Sequence, residues 1–202
     1  AGEASSWSGV SAGALPVRQV TMGGEIADQA VLDAARACFP DARLTHIYAS
    51  TEAGVGFAVT DGRAGFPLTF TETAPGGVGM RIAGGQLWLR PPDGRVPRYL
   101  GGQTLEVDAE GHVATGDRVE ILDDRAHFLG RDSGAVNVGG VKVWPERVER
   151  TIAAVPGVGL AQVSAKKSPI TGALLMATVV PDPAEADRDA LHAAIMAACR
   201  TQ

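Results

Sequence analysis

Apolar and polar positions alternate in two different rhythms along the first fifty residues. "PVRQVTMGGE" (16–25) reads as a short apolar strand ending in Gly23-Gly24-Glu25. "IADQAVLDAARACF" (26–39) then places apolar residues at helical spacing until Pro40-Asp41 stops the run. "ARLTHIYAS" (42–50) is a second strand, so the order is strand, helix, strand, which predicts a parallel, right-handed crossover pair. The second strand runs straight into Thr51-Glu52-Ala53-Gly54 and resumes as the almost uncharged "VGFAV".

From Thr60 to about Leu100 the chain is rich in glycine and proline, and short strands in "GMRIAGGQLWLRPP" are separated by Gly84-Gly85. A small antiparallel sheet or barrel is expected there. Strand-sized pieces follow through Gly140, and the pattern predicts that Gly111, Gly116, Asp123-Asp124 and Gly130 interrupt them. "AVNVGGVKV" reads as a hairpin, and "PERVERTIAAV" as a helix opened by Pro145. "GVGLAQVSA" and "ALLMATVVP" are two more strands, with Lys166 and Lys167 in the loop between them, and "DPAEADRDALHAAIMAACR" is a last amphipathic helix. The fold class is therefore α/β followed by a small α+β unit. The division is expected at residues 1–131 and 132–202, with the polar joint "GRDSG" as the hinge.

Composition narrows the function. The chain has 202 residues, of which 45% are hydrophobic, enough for a sizeable core. A net charge of -5 gives no basic field to hold a polyanion, so nucleic acid is not an expected partner. Cys38 and Cys199 lie far apart without metal-ligand spacing and read as reduced. No apolar run approaches membrane-spanning length and the opening "AGEASSWSGVSAG" has no signal-peptide pattern, so a cytoplasmic protein is expected, with no membrane partner. No internal repeat or low-complexity tract occurs. The chain begins with Ala in a Ser/Gly/Ala-rich stretch resembling a loop cut open, which suggests a fragment.

In parallel α/β sheets, ligands bind at the carboxyl ends of neighbouring strands. Gly-Gly-Glu and Ser-Thr-Glu would both stand there. Gly23 and Gly24 allow close approach of a flat ligand, Tyr48 offers a stacking face, Thr51 can donate to a phosphate oxygen, and Glu52 is a hard oxygen ligand suited to magnesium. The alternative is that Ser50 or Thr51 caps a turn and that Glu25 and Glu52 are solvated carboxylates. Asp117, after a Thr-Gly turn, can accept two vicinal hydroxyls, with Arg131 adding donors, as a ribose requires. The alternative is that Asp117 closes an Asx-turn and Arg131 makes a surface ion pair.

Taken in order, "GGE" (23–25), "YASTEAG" (48–54), "ATGD" (114–117) and "FLGRDSGAVNVGGVKVWPERVE" (128–149) resemble the motifs of the adenylate-forming (AMP-binding) enzymes, which include acyl- and aryl-CoA synthetases. The resemblance covers nearly the whole chain and implies the C-terminal part of such an enzyme. In that reading residues 1–131 close the large domain, a βαβ unit plus a small β-barrel-like region, and 132–202 form a small mobile domain. It further implies a nucleotide site of Gly23, Gly24, Glu25, Tyr48, Ala49, Ser50, Thr51, Asp117 and Arg131, with Thr51 at the phosphates and Glu52 ligating magnesium. Ser133 would be the hinge, and the loop of Gly139, Gly140 and Lys142 would shape the pantetheine path. Ala53, Gly54, Val55 and Phe57 would line the acyl pocket; lacking a group to pair a second charge, they suit a small aliphatic or aromatic acid. The implied cofactors are ATP or AMP, Mg2+, and CoA or the phosphopantetheine of an acyl carrier protein. The upstream Ser/Thr/Gly-rich phosphate loop and the final lysine segment of such enzymes are not found, so another part of the same enzyme is an expected partner, and a nucleotide-binding remnant or complementation half is the alternative.

Overall fold

The computed structural model describes residues 16–73, 75–96, 104–168, 172–183 and 187–200. The opening stretch through Gly13, part of the Gly/Pro-rich segment before Leu100, and the last two residues lie outside the described residues.

Strands β1 (Gln19–Gly23) and β2 (Arg43–Ser50) pair in parallel across helix α1 (Gln29–Cys38), as the pattern predicts. The helix begins at Gln29 rather than Ile26, because Asp28 has extended backbone and its carbonyl accepts the Leu32 N–H at 3.1 Å. Leu32 is the buried residue of its inner face, and the Arg36 guanidinium donates to the Ala42 carbonyl at 2.9 Å beyond the helix end. Strand β3 (Val55–Val59) adds antiparallel to the other edge of β2. A Cβ on Gly56 would lie 2.2 Å from the Tyr48 carbonyl oxygen, so only glycine lets the two strands close here.

A five-stranded antiparallel sheet follows: β4 (Phe66–Pro67), β5 (Gly79–Ala83), β6 (Gln86–Arg90), β7 (Val113–Leu122) and β8 (Arg125–Arg131), in the order β4-β8-β7-β6-β5. Gly84-Gly85 and Asp123-Asp124 make the expected turns. Gly116 and Gly130 do not interrupt strands: β7 and β8 run through them with φ of 78° and 135°. The register shifts between Gln86 and Trp88 on β6 and between Arg118 and Val119 on β7, so the glycines mark bulges rather than turns. Phe57 and Val59 of β3 share one buried cluster with Phe66, Leu87, Leu89, Val113, Val119 and Ala126 of this sheet. Beside it the buried Arg125 is held by the Asp61 carboxylate at 2.7 Å and by the carbonyls of Ala64, Arg63 and Gly65 at 2.9, 3.0 and 3.1 Å.

A single 3₁₀ turn, Asp132–Gly134, leads to β9 (Val136–Val138), β10 (Val141–Val143), α2 (Pro145–Ala153), β11 (Val158–Ser168), β12 (Gly172–Pro181) and α3 (Arg188–Arg200). Ile152, Val155, Val163, Leu191 and Ile195 form a second buried cluster. Lys166 and Lys167 are not in a loop: β11 continues through them, pairing with Leu174 and Ala173 of β12. Main-chain pairing fixes this ladder, and both lysines stay exposed, so their charge is no obstacle to a strand. Among the described residues no helix is long and apolar enough to cross a membrane.

Phe66 is fully buried, at 0% exposure. Phe66→Ala should therefore cost about 3–5 kcal/mol in urea unfolding, from lost transfer free energy and the cavity left behind. A loss within 1 kcal/mol, about the error of such a measurement, would place the ring outside the core.

Candidate functional site

The carboxyl ends of β1 and β2, the middle of β7, the end of β8 and one face of α2 surround an open cleft of about 930 Å³. Gly24, Glu25, Tyr48, Ala49, Phe57, Asp117 and Arg131 line it. Gly24 turns the chain out of β1 with φ of 88°, a conformation other residues adopt at a cost.

Asp117 and Arg131 face each other in register across β7 and β8, next to the bulges at Gly116 and Gly130. The Asp117 side chain, 12% exposed, accepts the Tyr48 hydroxyl on Oδ2 and the Arg131 Nε–H on Oδ1 at 3.2 Å. The Thr115 hydroxyl steadies this stretch by accepting the Asp117 N–H at 3.1 Å and donating to the Leu87 carbonyl at 2.8 Å. Arg131 then forks onto Glu52, with Nη1–Oε1 and Nη2–Oε2 distances of 3.0 and 3.2 Å. One guanidinium thus bridges the two carboxylates that the sequence singles out separately.

The Tyr48 ring stacks on Phe128 at 4.9 Å between centroids and on Phe57 at 5.2 Å. Burial, and then the charge and hydrogen bond of Asp117, push its hydroxyl far above the ordinary tyrosine range. It therefore stays a donor to Asp117 at any physiological pH. Burial raises the Glu52 carboxyl, but the Arg131 hydrogen bond and charge outweigh it, and the net shift is downward.

Several predicted residues stand elsewhere. Ser50 is buried and works as a turn residue, accepting the Ala53 N–H at 3.2 Å and donating to Glu52 at 3.3 Å. Thr51 is exposed at the start of that turn, and neither it nor Gly23 lines the cleft. Ala53 is fully buried in the first core cluster and Gly54 lies at the exposed turn, so among the described side chains of the predicted acyl wall Phe57 alone reaches the cleft; the side chain of Val55 lies outside the described residues. Ser133 lies in the 3₁₀ turn. Gly139 and Gly140 form the β9–β10 hairpin tip, where Asn137 Oδ1 accepts the Gly140 N–H at 2.8 Å. Lys142 stands 3.8 Å from Asp132 and lines a separate cavity of about 330 Å³ with Trp144 and Arg147.

Sequence reasoning misses four contributors. Phe128 supports Tyr48; Trp144 Nε1 donates to the Arg131 carbonyl at 3.1 Å; and Arg150 of α2 meets Asp28 at 2.9 Å. The aromatic before Leu-Gly-Arg and the Trp before Pro145 were legible signals, whereas Asp28 and Arg150 carry none. A cluster away from the cleft, Asp108, Glu110 and His112, has metal-ligand atoms within 4.8 Å of one another. Asp108 Oδ1 already accepts the N–H groups of Glu110 and His112 at 2.9 and 2.8 Å, which makes it a turn.

The Glu52 carboxylate is lowered in the folded chain, so its contribution to stability is present above the unfolded value of about 4.3 and is lost as pH falls through the lower folded value. Unfolding measured between about pH 5 and pH 2 should lose stability less steeply in Glu52→Gln than in the parent. Identical slopes would show that the Arg131 pair does not persist in solution.

No family model matches the chain. An isonitrile lipopeptide synthase of Streptomyces coeruleorubidus is 35% identical over 93% of this chain and 14% of its own length. The fatty acid–acyl-carrier-protein ligase MmaC of Mycobacterium marinum is 35% identical over 56% of this chain and 21% of its own length. Among solved structures, the amide bond synthetase McbA of Marinactinospora thermotolerans superposes with a TM-score of 0.69 at 25% identity, covering 89% of this chain and 40% of that one. The chain thus spans less than a quarter of the length of these two curated relatives. In sequence and in fold, the relatives and structural neighbours that the chain matches are adenylate-forming acyl- and aryl-CoA and carrier-protein ligases, and it spans part of their length.

Proposed function

We propose that this chain is the nucleotide-holding part of an enzyme that activates a carboxylic acid with ATP and passes the acyl group to a thiol. The observation that carries the reading is Asp117, fixed between the Tyr48 hydroxyl and Arg131 at the carboxyl ends of a parallel strand pair. An acceptor carboxylate held from two sides keeps its remaining lone pairs directed into the cleft, where two vicinal ribose hydroxyls can donate to it. Arg131 adds donors, and Gly24 and Ala49 leave room for a flat base beside β1 and β2.

Glu52, with the Ser50 hydroxyl beside it, offers the donor chemistry that magnesium takes, one carboxylate completed by phosphate oxygens and water. Such an ion would neutralise phosphate charge as pyrophosphate leaves. The chain's own part is to release Glu52 from Arg131, to bring Thr51 from the exposed turn beside Glu52 to the phosphates, and to keep the ribose oriented so that the acid's carboxylate meets the α-phosphorus in line. Residues 1–131 act as the closing portion of the large domain and 132–202 as the small domain. Ser133 is the hinge, and the hairpin of Gly139, Gly140 and Lys142 moves toward the cleft for the thiol step. The thiol is that of CoA or of a carrier protein's phosphopantetheine; a relative named as a fatty acid–acyl-carrier-protein ligase supports the second. Phe57 supports an apolar aliphatic or aromatic acid, and we place the reaction in the cytoplasm.

A second reading, a nucleotide-binding half completed by another segment or chain, draws on Val31 and Ile47. These cleft residues are 51% and 41% exposed, and an apolar partner would cover them.

Calorimetric titration with AMP tests the proposal. The parent chain should bind, Asp117→Ala should lose roughly tenfold or more in affinity, and 2′-deoxy-AMP should bind the parent about as weakly as AMP binds the variant. An AMP affinity unchanged by Asp117→Ala, or a parent chain that does not bind AMP, would overturn the ribose assignment.

A further inference from the structure

The 3₁₀ turn Asp132–Gly134 joins two separate buried clusters, and the contacts across that joint gather on α2 and the residue before it. Trp144 Nε1 donates to the Arg131 carbonyl at 3.1 Å, and the Arg118 guanidinium lies 5.9 Å from the Trp144 ring centroid. Gly130 makes room for Glu146: a Cβ there would be 2.7 Å from Glu146 Oε2. Arg147 stands 3.7 Å from Glu120 of β7.

Arg150 goes furthest. Its Nε lies 2.9 Å from Asp28 Oδ1 as an ion pair without hydrogen-bond alignment, its Nη2 donates to the Phe128 carbonyl, and its Nη1 is 4.0 Å from Glu120 Oε1. One side chain of the second unit therefore touches the start of α1, β8 and β7 of the first. Asp28 and Arg150 both also line the cleft. Both side chains are about two-thirds to three-quarters covered, at 34% and 27% exposure, so the pair is less screened than a surface one.

We infer that Asp28 and Arg150 are positioning residues that latch the α2–α3 unit across the cleft in the pose seen here. The helix makes the latch cooperative. Trp144, Arg147 and Arg150 lie on one rigid helix and its first flanking residue, so any rotation about Ser133 breaks their contacts together. Removing the Asp28 charge leaves Arg150 a carbonyl and one distant carboxylate, and the latched pose loses its best electrostatic contact. The inference deepens the function proposed above, since the latched pose decides which faces of the second unit confront the nucleotide residues. Its test uses no ligand, so its failure would leave AMP binding by Asp117 untouched.

The test is electron–electron distance measurement between nitroxides on Cys38, exposed on α1, and at Thr178→Cys, exposed on β12, in a Cys199→Ser background. The parent should give one narrow distance. Asp28→Ala should add a second distance, raising the ratio of displaced to latched molecules roughly tenfold. Arg150→Gln should produce the same second distance from the other side of the pair. Asp28→Glu should restore the single distance, a rescue that a merely structural defect would not show, and Asp33→Ala on the same helix should leave it unchanged. A parent that is already broad, a distribution unaltered by either Asp28→Ala or Arg150→Gln, or no rescue by Asp28→Glu would overturn the latch.

Discussion

The register that sets Asp117 opposite Arg131 is the constraint on which the site depends. Both residues lie within continuous strands, so their side chains could have faced away from the cleft or been spaced apart along the ladder. The bulges at Gly116 and Gly130 re-aim them: an extra residue in one strand increases the local twist and turns the flanking side chains. The sheet places an acid and a base side by side at the edge of the parallel β1–β2 pair, where Tyr48 reaches the acid and Glu52 reaches the base. Two sheets, each ordinary by itself, meet at this quartet.

The members of the quartet are not held equally. Tyr48 is wedged among aromatic rings and Asp117 is nearly covered, so their hydrogen bond is sheltered from water and fixed by packing. The Arg131 side chain is 51% exposed, and its fork onto Glu52 is screened, worth about 0–1 kcal/mol at most exposed sites. A ligand with hydroxyls for Asp117 and phosphates for the Glu52 turn would displace the loose pair and leave the tight one standing. The arrangement is a rigid acceptor beside an adjustable cation, which suits the proposed admission and release of a charged nucleotide.

Much of the fold was legible because its signals are local. Helical spacing to Phe39, the stop at Pro40, the Gly84-Gly85 turn and Pro145 at a helix start act within a few residues, and each appears as read. The errors came where pairing overrides composition. Gly116 and Gly130 look like turns in sequence, and only the neighbouring strand shows them to be bulges. Lys166 and Lys167 look like a loop, yet the ladder with β12 carries them. Of the candidate site, Asp117 and Arg131 are legible through their chemistry, and the ladder brings them together at the cleft. Ala53 lies in the core rather than on the expected pocket wall, because a small apolar residue after a turn suits either and burial decides for the core.

The Asp28 and Arg150 contact shows the kind of information that sequence withholds. Each residue satisfies a local rule without the other: Asp28 stands where a helix begins, and Arg150 stands near a helix end, where a cation suits the dipole. Nothing in either segment announces a partner more than a hundred residues away. The structure also shows that Asp28 makes no side-chain cap to its own helix, so its carboxylate is free to serve Arg150. A residue at a capping position that forgoes the cap is spending its charge on another element. Here that element is the helix that also sets Arg147 beside Glu120 across the joint.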